Sequence, residues 1–296
     1  MTVRIIDSHQ HLWDLSRLDL PWTAEIPELN RNFWLEDYRK ATNAAEGGLQ
    51  YEMTGTLYME VDVIADQINR ETDLILELCR DSGNLMQGMI AATRPGEPLF
   101  AKSVQKAEQH PEIRGFRRVL HTDEVPPGFC LSDRFAADLQ ELGRRSLSFD
   151  LCVRRDELMD ICQLASRCPE TSLVLDHCGN ADVRMDQEEF ARWEKGIREL
   201  ARRENVVCKV SGFVWTIQEA NWTHESHIEP ILRVVFEAFG EQRVLFGGDW
   251  PVCTLSALSF PEWVSQLHRF ARNWGTQTGE KLFLENARRV YRLESG

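Results

Sequence analysis

Short runs of apolar and β-branched residues recur eight times along the chain. The runs are VRIID (3–7), TGTLYMEV (54–61), LMQGMIAA (85–92), IRGFRRVL (113–120), LSFDLCV (147–153), SLVLDHC (172–178), VVCKVSG (206–212) and RVLFGGD (243–249). Each has strand length and strand composition and is bounded by turn-forming residues. Between them lie stretches with apolar residues at three- and four-residue spacing. The clearest, ADQINRETDLILELCRDSG, predicts a helix closing on Gly83 as C-cap. PEIRGF, CPETSL and FGEQRVLFG read as turns returning the chain to strands. Eight strands alternating with helices imply parallel βα units, and the economical closure is an α/β (β/α)8 TIM barrel. An open doubly wound sheet is the alternative, but no Gly-rich phosphate loop follows the first strand. With no linker or low-complexity segment, residues 1–296 are expected to form one domain.

One connection breaks the rhythm. Residues 12–53 separate the first two strands and carry Trp13, Trp22, Phe33 and Trp34 around the turn-prone LDLPWTAEIP. Long βα loops in barrels decorate the active-site mouth. Phe33 and Trp34 are expected to pack this loop down, and Trp22, beside Pro21, to form a substrate wall.

Composition narrows the partners. A formal charge of −13 argues against a nucleic-acid surface and against anionic membranes. No apolar run approaches the roughly 20 residues of a membrane helix, and the opening MTVRIIDSH lacks the basic and apolar regions of a signal peptide. The 8 cysteines are scattered without paired spacing. They read as reduced core residues of a cytoplasmic protein, with Cys178 and Cys253 as weaker candidate thiols. Nothing in the pattern defines an oligomer.

The chemistry gathers at strand ends. His9 and His11 follow the first strand, and their spacing places both on one side of an extended chain. Glu60 lies near the end of the second strand, and Arg117 and Arg118 lie in the fourth, followed by His121. Asp176 and His177 end the sixth, Lys209 lies in the seventh, and Asp249 ends the eighth. In a (β/α)8 barrel these ends meet at one mouth. His9, His11, His177 and Asp249 together suit a hydrolase, in which a carboxylate takes a proton from water and imidazoles relay it or steady an oxyanion. Arg117, Arg118 and Arg154 are candidates for paired donation to substrate oxygens; Arg155 reads as a surface ion pair. Lys209, if inward, needs a buried partner. His110 and His268 read as structural, and His224 and His227 as the start of a helix capped by Thr223 or Ser226.

DSHQHLWD, FDLCV, LVLDHCG, VVCKVSGF, LFGGDWPVC and the closing NARRVYRL, in that order, resemble the amidohydrolase superfamily. The similarity runs from residue 6 to about residue 290 and is nearest to the branch of L-fuconolactonase- and L-rhamnonolactonase-like sugar-acid lactonases. It implies a barrel that opens an aldonolactone, with Asp249 activating water, His177 beside it, and His9 and His11 positioning water or polarising the carbonyl. Arg117 or Arg118, Trp22, Trp215 and Glu60 are the implied substrate contacts. The two-metal members carry a strand-four lysine and a strand-five histidine; this chain reads GFRRVLH and FDLCVRRDE there, so a two-metal site is not expected. A single zinc on His9, His11 and Asp249, with Glu60 completing it, suits the donor set, and the resemblance implies that it is not required. The rival readings are a zinc-dependent decarboxylase or amidohydrolase acting on a carboxylated ring, and a barrel that binds sugar acids without catalysis.

Overall fold

The computed structural model describes residues 2–43, 48–81, 83–219 and 221–293. The expected domain ends and part of the long first loop, at residues 1, 44–47 and 294–296, lie outside the described residues, as do residues 82 and 220. Eight parallel strands follow one another in sheet order: β1 (Val3–Gln10), β2 (Tyr51–Met59), β3 (Met86–Ala92), β4 (Ile113–Val119), β5 (Ser148–Cys152), β6 (Leu173–Leu175), β7 (Val206–Val210) and β8 (Val244–Phe246). The ring is joined past the end of β8, where Asp249 N–H donates to the His9 carbonyl and His11 N–H to that of Trp250, both at 2.8 Å. All eight expected strands are present, which makes the fold the (β/α)8 barrel read from the sequence.

Two apolar layers hold it. Outward strand residues such as Phe116, Phe149 and Cys208 pack under the buried faces of the helices, including Phe135 and Leu139 of Asp133–Arg144. Inward residues Ile6, Leu57, Met59, Ile90, Val174, Val207 and Leu245 fill the N-terminal end of the barrel. They pack on Ala287, Val290 and Tyr291 of the last helix, Asn286–Tyr291, which plugs that end. The opposite end stays open for chemistry.

β1 holds a register irregularity between Asp7 and Gln10. Counting by twos from Ile6, which faces the barrel floor, would send His9 outward. An extra residue in one strand resets the alternation, and His9 faces the interior. Gly247 permits the closure there, because a Cβ at that position would lie 2.7 Å from the Cβ of His9.

Two local expectations are corrected. The helix containing LILEL runs Ile68–Arg80 and ends before Gly83, whose N–H is instead accepted by the Asp81 carboxylate at 2.8 Å. Arg154 does not reach the barrel mouth: it donates to the carbonyls of Leu120, Thr122 and Val125 and ties down the loop after β4. Thr223 does cap its helical turn, accepting from Ser226 N–H at 3.2 Å, and Arg155 pairs with Glu189 at 3.2 Å. All eight cysteines are unpaired, as expected, and burial pushes the Cys253 thiol far up, which argues against a nucleophile there.

The loop after β2 is pinned from beneath by Glu71, a fully buried carboxyl that accepts from the Tyr58 hydroxyl and from Val61 N–H, both at 2.8 Å. Burial, and then the nearby Glu60, push it up to about 8. A folded-state value above the unfolded one of about 4.3 means that the stability present in acid is lost as pH rises through 8. Glu71→Gln keeps the acceptor and cannot ionise. Its melting temperature is therefore expected to exceed that of the parent by more at pH 9 than at pH 5. A gap that is the same at both would show that Glu71 does not titrate in this range.

Candidate active site

A cavity of about 420 Å³ opens at the C-terminal end of the strands, near the lower end of the usual range for small-molecule sites. His11, Arg117, His177 and Asp249 form its polar side, and Trp22, Phe213, Trp215 and Leu255 contribute apolar wall. The long first loop supplies Trp22, whose indole N–H donates to the Val61 carbonyl at 2.9 Å. Phe33 packs edge-on against Trp13 and Trp250 and holds the loop to the barrel rim.

The ends of β1 and β8 converge on one cluster. His9 Nε2 and His11 Nε2 each lie 3.5 Å from Asp249 Oδ1. Asp249 has a left-handed backbone (φ 56°), an uncommon conformation that Asp adopts more readily than most residues. Burial, partly offset by His177 and Arg117, pushes its carboxyl up to about 6. That is basic enough to accept a proton near neutrality while still mostly ionised.

His11 donates from Nδ1 to the Met59 carbonyl at 2.9 Å, since a carbonyl can only accept. Burial and then Arg117 hold its pKa down to about 3, so the ring is neutral and Nε2 presents a lone pair. Two acceptors 3.5 Å apart, His11 Nε2 and Asp249 Oδ1, suit a water donating one hydrogen to each, or a divalent cation. The expected polarisation of a carbonyl by His11 does not follow from this geometry, because the free nitrogen has no proton to give.

His177 is set by strain. His177, Cys178, Gly179 and Asn180 all have positive φ, between 52° and 69°, a left-handed turn that costs roughly 1–2 kcal/mol for each non-glycine residue. Strain of this kind persists where the surroundings over-determine it, often at functional sites. Here the Ser211 hydroxyl sits 3.0 Å from His177 Nδ1 and accepts from its backbone N–H at 3.3 Å. Gly212 (φ 68°) leaves the space that the His177 ring fills.

The charges beneath are paired. Arg117 donates from Nε to Glu60 Oε1 and from Nη2 to the Glu60 carbonyl, both at 2.6 Å, and its Nη1 lies 3.7 Å from Asp176. Burial disfavours the cation, but Glu60 and Asp176 outweigh it and keep Arg117 charged. Lys209 Nζ, also fully buried, lies 2.6 Å from Asp150 and 3.0 Å from Asp176. Tyr291, on the plugging helix, donates to the same Asp150 oxygen at 2.7 Å.

Among the sequence-derived site residues, His11, His177, Asp249, Arg117, Trp22 and Trp215 line the cavity together. His9 and Glu60 are fully buried behind that lining: His9 under Asp249, Glu60 as the partner of Arg117. Arg118 is not brought to the site. Neighbouring strand residues face opposite ways, and Arg118 lies outside the barrel, bonded to Glu97 at 2.8 Å and stacked over Phe129. The structure adds Asp150, Tyr291 and the Cys152 thiol to the set expected from sequence; the thiol lies 3.3 Å from His121 Nδ1 in the cavity wall. Asp150 had a signal. It is a lone carboxylate in the apolar FDLCV, as Lys209 is a lone cation in VVCKV, and two isolated buried charges of opposite sign call for each other.

Could the cluster hold a metal? His9 Nε2, a buried atom with no hydrogen-bond partner, stands with His11 Nε2 and Asp249 Oδ1 in a group of the right donor types. Ligands at about 2.0–2.1 Å from a tetrahedral zinc stand a little over 3 Å apart, which matches the 3.5 Å separations. The residues fit one ion by distance and donor type.

An amidohydrolase family model matches residues 6–293. The chain is 34% identical over 283 residues to an L-fucono-1,5-lactonase of Burkholderia multivorans, covering 90% of this chain and 88% of that protein. It is 25% identical over 300 residues to an L-fucono-1,5-lactonase of Burkholderia ambifaria, covering 99% and 97%. The crystal structure of an amidohydrolase from Burkholderia multivorans with zinc bound shares the fold at a TM-score of 0.84 and 29% identity, covering 98% of this chain and 99% of that one. With the match spanning nearly every described strand and helix of the barrel, the chain belongs to the amidohydrolase family.

Proposed function

We propose that the protein hydrolyses a sugar-acid lactone, an aldonolactone such as L-fucono-1,5-lactone or a relative, to the open-chain acid. The observation that carries this reading is Asp249, a base held near 6, sharing a small-molecule cavity with the lone pair of His11. Two relatives named as L-fucono-1,5-lactonases support the substrate class.

Water bridging Asp249 Oδ1 and His11 Nε2 gives one proton to Asp249, and its oxygen bonds to the lactone carbonyl carbon. The Arg117 guanidinium and, with Ser211 donating to Nδ1, the Nε2–H of His177 stabilise the oxyanion as it forms. Collapse breaks the ring C–O bond, and the proton on Asp249 passes to the departing oxygen. A zinc ion held by His9, His11 and Asp249 would add Lewis-acid activation of the water or the carbonyl.

Arg117 is the one lysine or arginine among the lining residues, and Glu60 already holds it. Asp62, Asp182 and Asp249 are also in the wall. Asp62 is paired with Arg94 and Asp182 with Arg184, so the lining offers a substrate carboxylate no unpaired cation, which suits a neutral lactone better than a carboxylated ring. The test is acid release from a panel of freshly prepared 1,5- and 1,4-aldonolactones, with and without chelator. Release well above the spontaneous rate is expected. No acceleration on any lactone would sink the reading, and activity lost on chelation and regained with zinc would make the metal essential.

A further inference from the structure

The ammonium of Lys209 touches a third group. Besides Asp150 and Asp176, its Nζ lies 3.2 Å from His9 Nδ1. An ammonium has three hydrogens and no lone pair; here it donates to Asp150 Oδ2 at 2.6 Å, pairs ionically with Asp176 Oδ1 at 3.0 Å and lies within hydrogen-bond distance of His9 Nδ1. Toward His9 it can only donate, so Nδ1 must be the bare nitrogen. A neutral imidazole that accepts at Nδ1 carries its proton on Nε2, which is the nitrogen 3.5 Å from Asp249 Oδ1.

That proton stands where a metal bond would form. A divalent ion shared by His9, His11 and Asp249 needs His9 Nε2 bare, with the ring proton moved to Nδ1. There it would need a carboxylate acceptor, the usual support for a metal-bound histidine. Asp176 Oδ1 is 3.5 Å from Nδ1 and could take that part only once Lys209 releases the nitrogen.

We propose that Lys209 is a positioning residue that selects the Nε2–H tautomer of His9, so that its ammonium and a divalent cation at the His9–His11–Asp249 cluster compete for the same imidazole. Lys209 thereby keeps a hydrogen on the nitrogen that faces Asp249 and holds metal affinity down. Tyr291 steadies the arrangement from the far end of the barrel, through the Asp150 oxygen that it shares with Lys209. The inference concerns the imidazole alone and stands apart from the choice of substrate.

The direct measurement is the ring 15N spectrum of histidine-labelled, chelator-treated wild-type protein, with the His9 signals identified by their loss in His9→Gln. His9 is expected to show a protonated Nε2 and a bare Nδ1, and to exchange them when zinc is added to saturation. A protonated Nδ1 in the chelated protein would overturn the proposal. The second measurement is zinc binding to Lys209→Met/Asp150→Asn, which removes the ammonium together with one of its carboxylates so that no extra buried charge is left behind. Calorimetric affinity at fixed pH is expected to rise at least tenfold over wild type, with zinc retained through gel filtration. Unchanged or weaker zinc binding by the folded double variant would also overturn it. Neither readout requires turnover, so failure of the lactone reading and failure of this one are distinguishable.

Discussion

Asp249→Asn is expected to lower lactone turnover by about 10³-fold or more, within or above the range for loss of a general base, without lowering the melting temperature. The backbone bonds that close the barrel at this position, from Asp249 N–H to the His9 carbonyl and from Cys253 N–H to the Asp249 carbonyl, are both 2.8 Å long and do not involve the side chain. Asparagine also tolerates the left-handed φ of 56°. What the substitution removes is the oxygen that takes the proton from water, along with a buried charge that folding had to desolvate. Stability is therefore held or slightly raised while chemistry is lost. Steady-state kinetics and thermal unfolding on the same preparation provide the check. Activity within tenfold of the parent would mean that another group activates the water.

Arg117→Met is expected to damage stability and activity together, and a second substitution separates the two effects. Removing the guanidinium leaves Glu60 buried with no cation, which typically costs about 3–5 kcal/mol, or roughly 10 °C in melting temperature for a chain of this size. Glu60 is fully buried and both of its contacts to Arg117 are 2.6 Å, so little solvent relief is available. The paired variant Arg117→Met/Glu60→Gln removes both charges and is expected to recover most of the lost stability. It should not recover turnover, since the cavity still lacks the donor that faces the developing oxyanion; kcat/KM should stay roughly 10²-fold or more below the parent. Recovery of activity with stability would reduce Arg117 to a structural cation.

Much of this protein is legible from its residues because two periodicities carry the information. Strand and helix spacing placed all eight β segments, and the strand-end rule brought His11, His177, Asp249 and Arg117 to one mouth. The failures share a cause. Arg117 and Arg118 are adjacent in one strand, and only the register decides which faces inward and which stacks on Phe129 outside. Gly83 looked like a left-handed cap, but the helix stops at Arg80 and the Asp81 carboxylate satisfies the turn instead.

His9 marks the boundary most sharply. The spacing of His9 and His11 determined that both face the same way, because alternation along a strand is a local property of the backbone. Which way they face was decided by the irregular register between Asp7 and Gln10, which depends on how β1 pairs with β2. What His9 does there depends on Lys209, which is 200 residues away along the chain and 3.2 Å away in space. Sequence determined the strands, the helices and the set of groups available for chemistry, since these follow from short-range sterics and hydrophobic spacing. Tertiary structure alone decided which nitrogen carries the proton and which charges cancel, because hydrogen bonds act over a few ångströms between strands that only folding brings together.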